Sequence, residues 1–417
     1  MNSSAQQRST PDSESPPADK PKRLVSLDAY RGFIMITLAA GGFGFATTAK
    51  NLGYGPDISP DSVVGQFWQM LAFHSTHPEW NSQYGIFGCS YWDLIQPSFM
   101  FMVGVAMPYS YARRQSEGQS PVVMWRHAIK RAIILVLLGV FLQSRDMETN
   151  WIFTNVLSQI GLGYLFLFSL LGMQFRTQLI IAAVVLTGYW LAFAVYPAPT
   201  ADFDFAAVNS DGQWVGHGLF SHFIKNTDMA TSFDGWLLNL FPRSTPFELH
   251  SGGYATLNFV PSTVTMLFGV MSGQLLRGSR SPNEKFRMLV YSGVICMVLA
   301  VAAGFTICPI IKRTWTPSWT LFSGAWVLWL LAVFYWVIDV RGWKKWSFPL
   351  VVVGMNSIAI YFMGALLKPW TVKTLKIHLG PELFVGDCGP TVQAVSVAVV
   401  FWLFCFWMYR MKIFIRI

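Results

Sequence analysis

Charge is what this chain has least of. Only 12% of its 417 residues are Asp, Glu, Lys or Arg, about half the density usual for a soluble domain. Cysteine is sparse too: Cys89, Cys296, Cys308, Cys388 and Cys405 include no CxxC pair, which removes the usual structural-zinc pattern, and no metal is expected. No Walker or dinucleotide glycine motif stands on a strand–helix background, so the net charge of +9 does not point to nucleic acid. No apolar run is short enough, or close enough to the N-terminus, to read as a cleaved signal peptide.

What is abundant is apolar. Hydrophobic residues make up 53% of the chain, mean hydropathy is +0.41, and aromatics reach 16% with 18 Trp and 34 Phe. That balance suits a protein solvated by lipid, where Trp and Tyr collect at the interfaces. Residues 1–22 are polar and read as a disordered cytoplasmic tail. Beyond them, apolar stretches near 29–47, 91–112, 127–143, 156–173, 176–196, 256–276, 286–308, 319–338, 347–366 and 390–410 each approach the length of a membrane helix. Helices are the natural choice, because backbone groups in lipid must be satisfied within their own segment. The expected fold is an all-α polytopic bundle of about ten transmembrane helices.

A cytoplasmic N-terminus sorts the cations. The inner side then holds Lys20, Lys22, Arg23, Arg113, Arg114, Arg126, Lys130, Arg131, Arg176, Arg277, Arg280, Lys285, Arg287, Arg341, Lys344, Lys345, Arg410, Lys412 and Arg416 in short, dense loops. The outer side holds the sparser Lys50, Arg145, Lys225, Arg243, Lys312, Arg313, Lys368, Lys373 and Lys376. Long outer loops near 48–90 and 197–255 carry His74, His77, His217, His222 and His250. Cys89 and Cys388 also fall outside, where a disulfide between them is one option and Cys308 a competing partner.

Ionisable and amide residues near membrane depth are functional candidates. Asp28 and Arg31 share a helix face; they read either as a cap with an interface charge or as an ion pair turned inward to hold helices or a ligand phosphate. His77-Pro78-Glu79-Trp80-Asn81 precedes Trp92-Asp93-Leu94-Ile95-Gln96-Pro97. His77 reads as a surface residue or as a general base oriented by Asp93. Asn258 and Asn356-Ser357 read as helix–helix glue or as anchors for a polar ligand.

These segments, in this order, resemble the heparan-α-glucosaminide N-acetyltransferase family of multi-pass membrane acyltransferases, most closely a bacterial branch. Arg23-Leu24-Val25-Ser26-Leu27-Asp28-Ala29-Tyr30-Arg31-Gly32 is similar to the family's opening, and His77 to Asn81 is similar to its H-A-x-W-[ND]. Asp93-Leu94-Ile95-Gln96-Pro97 through Phe101-Met102-Val103-Gly104, Asp339-Val340-Arg341-Gly342 and Gly354-Met355-Asn356-Ser357-Ile358 resemble later family segments. The resemblance implies a domain over 23–417 in the bacterial inner membrane, weakly a homodimer, moving an acetyl group from cytosolic acetyl-CoA to an extracytoplasmic sugar acceptor. His77 would be the catalytic histidine and Asp93 its orienting carboxylate. Asp28, Arg31, Trp80, Asn81, Asn258, Asn356 and Ser357 would bind substrate or donor, with Asn258 or Asn356 facing the oxyanion or the pantetheine arm. Direct transfer and a two-step route through acetyl-His77 both remain open, as do a sugar permease and a non-catalytic member of the fold.

The chain departs from the family in places. Val156-Leu157-Ser158-Gln159-Ile160-Gly161 lacks the arginine of V-L-Q-R-[LI]-G, Ser251-Gly252-Gly253-Tyr254 replaces an acidic segment, and 82–88 looks inserted. These departures leave room for an acceptor other than glucosamine: another sugar amine, or a hydroxyl.

Overall fold

The computed structural model describes residues 24–55, 62–78, 89–145 and 147–415. The expected tail, Trp80, Asn81 and the 82–88 segment lie outside the described residues. Among the described residues every regular element is helical: α1 (Val25–Ala40), α2 (Phe45–Asn51), α3 (Val63–His74), α4 (Ile95–Ser116), α5 (Pro121–Gln143), α6 (Val156–Ser169), α7 (Phe175–Ala194), α8 (Met229–Leu237), α9 (Phe259–Arg277), α10 (Pro282–Thr306), α11 (Pro317–Phe334), α12 (Phe348–Gly354), α13 (Ser357–Phe362), α14 (Lys368–Leu379) and α15 (Gly389–Arg410).

Among the described residues five stretches are long and apolar enough to cross a membrane: Phe175–Ala194, Thr256–Arg277, Pro282–Thr306, Pro317–Val340 and Gly389–Arg410. Two bent pairs bring the number to seven, Val25–Ala40 with Gly42–Asn51 at 54° and Lys345–Gly354 with Ser357–Leu379 at 68°. The protein is therefore an integral membrane protein with five to seven spans on these criteria, against the ten expected. The remaining expected spans do form helices, but α4 and α5 carry the polar run Arg113, Arg114, Arg126, His127, Lys130 and Arg131, and α6 is only 14 residues long.

Both bends have local causes. After α1 the chain passes through Gly41, Gly42 and Gly44 at φ of 61°, 63° and 69°, a left-handed backbone that glycine alone enters freely. At the second bend Asn356 leaves the helical region, at φ −125° and ψ 38°.

Close packing at glycines sets the core. A Cβ on Gly104 of α4 would sit 1.9 Å from the Met266 carbonyl oxygen, and one on Gly269 of α9 would sit 2.1 Å from the Phe101 oxygen. Gly269 and Gly273 form a GxxxG face, the motif that lets helix backbones meet in lipid. Gly32 of α1 and Gly354 of α12 meet reciprocally, each with its absent Cβ within 2 Å of the other helix's backbone: 1.7 Å from Leu350 oxygen and 1.8 Å from Asp28 oxygen. The span containing α9 is 78% buried, whereas α7 and α10 are 22% buried and turn apolar side chains outward to lipid. Asp339 caps the first turn of α1 from across the chain, its carboxylate accepting from the Val25 and Ser26 amides, both at 3.2 Å.

Candidate active site

Ser90 fixes the approach to α4. Its hydroxyl donates to the Thr76 carbonyl at 2.6 Å and accepts from the Asp93 amide, while the Ser90 amide donates to Asp93 Oδ2, completing a capping box. This clamp holds the backbone beside His77 against the turn that carries Asp93. His77 Nδ1 then lies 2.6 Å from Asp93 Oδ1.

A third group completes the cluster. Lys312 Nζ is 3.2 Å from the same Asp93 oxygen and 3.0 Å from His77 Nδ1. An ammonium has no acceptor, so the arrangement that satisfies all three has His77 Nδ1–H and Lys312 both donating to Asp93. The other ring nitrogen, Nε2, is left as the basic one. The side chains of Asp93 and Lys312 are 4% and 8% exposed and that of His77 is 39% exposed, so only the histidine is presented outward. Burial is the main cause holding the His77 pKa below its usual 6.5, with the charges of Lys312 and Arg313 adding to it; the Asp93 bond opposes them. The ring is therefore neutral at neutral pH.

The loop bearing Lys312 is built stiffly. Trp315 adopts a left-handed φ of 48° although it is bulky and fully buried, and its amide closes a turn onto the Lys312 carbonyl at 2.9 Å. Thr316 caps α11 and bonds back to Ile311. Arg313 donates to the Gly252 carbonyl at 3.0 Å and the Pro78 carbonyl at 3.2 Å, tying the His77 segment to the 250–254 segment. Asn258 Nδ2 donates to the Arg313 carbonyl at 2.6 Å and so supports this loop from beneath.

His77 opens into a cavity of about 340 Å³ whose wall includes Trp92, Gln96, Phe99, His250, Tyr254 and Tyr361. At the other end of α1 and α4 is a second cavity of about 700 Å³, lined by Asp28, Arg31, Arg113, Arg114, Arg131 and Ser357 among others. Arg31 there lies 3.8 Å from Asp28 and donates to the Met102 carbonyl. Arg114 and Arg131 also border a third cavity of about 310 Å³ with His127 and Lys130.

The residues singled out in the sequence therefore fall into separate groups. His77, Asp93 and Asn258 belong to one end; Asp28, Arg31 and Ser357 line the large cavity at the other. Two of the amide side chains already have backbone partners. Asn258 Nδ2 donates to the Arg313 carbonyl and Asn356 Nδ2 to the Ile413 carbonyl at 3.2 Å, while Asn356 Oδ1 accepts from the Ile415 amide. Neither side chain lines the His77 cavity, so neither is placed to meet an oxyanion there. Gln159, standing where the family arginine would be, is buried and accepts from Gln96. Cys89, Cys308 and Cys388 are free thiols. Sequence reasoning missed Lys312, His250 and Tyr254. The signal for the first was present: Lys312 and Arg313 are adjacent cations in a loop that charge sorting expects to be outer, where the positive-inside rule disfavours them.

Fold and cluster together define an integral membrane protein that presents a neutral, carboxylate-oriented histidine at one end of its bundle. No protein-family model matches the chain. It is similar to human heparan-alpha-glucosaminide N-acetyltransferase, 22% identical over an alignment 448 positions long, gaps included, that covers 95% of this chain and 60% of the human protein. The relationship is distant, and the chain spans about 60% of that relative's length.

Proposed function

We propose that the protein is a membrane acyltransferase that takes an acetyl group from acetyl-CoA on the Asp28 face, the cytosolic one by charge sorting, and delivers it to a sugar amine or hydroxyl on the His77 face. The observation that carries this reading is the His77–Asp93 contact of 2.6 Å at the mouth of a cavity. The distant N-acetyltransferase relative supports the reaction class.

His77 Nε2 takes the proton from the acceptor nitrogen or oxygen as that atom attacks the thioester carbonyl. A C–N or C–O bond forms, the C–S bond breaks, and the departing CoA sulfur receives the proton from the imidazolium. Asp93 stabilises that imidazolium and fixes the tautomer. Lys312 holds Asp93 ionised and the resting ring neutral. The cations Arg113, Arg114 and Arg131 offer the nucleotide phosphates of the donor a seat, as Arg does wherever phosphate is bound. Trp80 and Asn81 would contact the acceptor, Asp28, Arg31 and Ser357 the donor. A homodimer in a bacterial inner membrane fits the same reading.

Purified protein incubated with acetyl-CoA and a panel of amino sugars should release free CoA thiol and acetylated sugar in equal amounts. His77→Ala should lower the rate by about 10²–10⁴-fold, the usual worth of a general base. Solute movement across proteoliposomes with no CoA released for any acceptor would replace this reading with a permease. With radiolabelled acetyl-CoA and no acceptor, a protein-bound label lost in His77→Ala would replace direct transfer with the acetyl-histidine route.

A further inference from the structure

The cavity beside His77 and the large cavity beside Asp28 share one lining residue, Phe99. Both lie along the same helices. On α4, Ile95 and Gln96 face the first and Met102, Val103 and Arg113 the second, with Phe99 between them. At about 1.5 Å per residue, Phe99 stands roughly 20 Å from Arg113 along the helix axis. On the facing wall, Ser357 and Ile358 line the large cavity and Tyr361, one turn on, lines the His77 cavity.

The Phe99 and Tyr361 rings meet across this boundary. Their centroids are 6.4 Å apart and their planes differ by 9°, an offset stack. Phe99 is 8% exposed. The ring pair stands where the two cavities adjoin, and side chains can change rotamer without a helix moving. A polar pair runs from the wall beside it into the packed bundle. Gln96, three residues before Phe99 and so on the same face of α4, donates to Gln159, whose own Nε2 is buried and has no hydrogen-bond partner. An unpaired amide donor at membrane depth is costly unless something arrives to accept from it.

We propose that Phe99 and Tyr361 form an aromatic gate between the donor and acceptor cavities, that the acyl thioester end of the donor passes between the rings, and that the opening they leave sets the acyl length the protein accepts. The gate rests on the acyltransferase reading for what passes through it, and on geometry alone for its existence as a barrier. The closed rings also keep water on the His77 side from the thioester.

The test has two arms. In the first, Gln96→Cys places a thiol on the His77 side, and a membrane-impermeant thiol reagent is added from the Asp28 side of oriented proteoliposomes. Labelling should be slow with the native rings and at least about 10-fold faster with Phe99→Ala or with Tyr361→Leu, the latter being the milder change at a partly exposed position. Equal labelling in all three backgrounds overturns the gate. In the second arm, kcat/KM is compared for acetyl-, butyryl- and hexanoyl-CoA. The hexanoyl-to-acetyl ratio should rise about 10-fold or more in either variant, the scale on which pockets discriminate added methylenes, and hydrolysis of acetyl-CoA without acceptor should rise with it. An unchanged ratio overturns the selectivity role. Should the unsubstituted protein turn over no acyl-CoA, the acyltransferase reading falls, and the labelling arm still decides whether the barrier exists.

Discussion

The chemistry proposed for His77 turns on which proton its ring carries and when. Two buried partners pull in opposite directions: Asp93 favours the imidazolium, and Lys312 disfavours it while pairing with the same carboxylate oxygen. A base must be neutral to act, so activity should appear as pH rises through the His77 pKa. The acid limb of kcat/KM should therefore lie below the ordinary histidine value of 6.5. Lys312→Met removes a cation that lowers that pKa and frees Asp93 to hold the ring proton more firmly. Both effects have the same sign, and the acid limb should move to higher pH. A pH–rate profile of the two proteins reads the shift directly; a limb that stays in place would remove Lys312 from the circuit. His77 and Asp93 could be matched from sequence because each sits in a short motif with its neighbours. Lys312 could not, since it lies 235 residues from His77 in the chain. In the sequence it stood out only as a cation in a loop that charge sorting expects to be outer.

At the scale of helices, stability rests on backbone contact more than on side-chain bulk. Lipid gives little hydrophobic drive between helices, so close approach at small residues must supply the dispersion contact. The α4–α9 seam is the test case. In Gly104→Ala the new methyl would meet the Met266 carbonyl at 1.9 Å, and backbone cannot swing aside as a side chain does. A loss of about 1–3 kcal/mol is expected from such overpacking. Gly188→Ala on α7 is the matched control: nothing lies within 4 Å of its added methyl, and replacing a helix-interior glycine should be neutral or raise stability by about 0.5–1 kcal/mol. Thermal midpoints in one detergent should separate the two variants in opposite directions. The same glycines explain why helix positions were easier to read than their breaks. Apolar runs mark where a helix forms, and Gly41-Gly42-Phe43-Gly44 does mark a break, but within an apolar run its effect on direction depends on tertiary contacts. The single residue Asn356 is weaker still: an asparagine in a span reads equally as glue, as a ligand or, as found here, as the hinge that also holds the 413–415 backbone.

At the scale of the whole molecule, the cavities and the charges line up on one axis. α4 and α5 fall outside the long apolar class because their cations wall the cavities at the Asp28 end, and the polarity that makes a cavity useful is what lowers their hydropathy. That polarity has a direction. Arg113, Arg114, Lys130 and Arg131 border the cavities at the Asp28 end, whereas the histidine cavity has Lys312, already paired with Asp93. A polyanionic donor cannot cross lipid unaided, because its charges lose hydration there without finding partners. Transfer should consequently be sided. In sealed proteoliposomes of known orientation, acetyl-CoA supplied only on the Asp28 face should acetylate an impermeant amino sugar held on the His77 face, and the opposite arrangement should give no product until the vesicles are opened with detergent. Raising ionic strength should weaken donor binding by screening the exposed cations, so KM for acetyl-CoA rises while kcat holds. Arg114→Gln should reproduce that rise at low salt, and should have little effect on a short acyl thioester lacking the nucleotide. Equal product from either face in sealed vesicles would show that donor and acceptor share one entrance, and would place the phosphates at the histidine end instead.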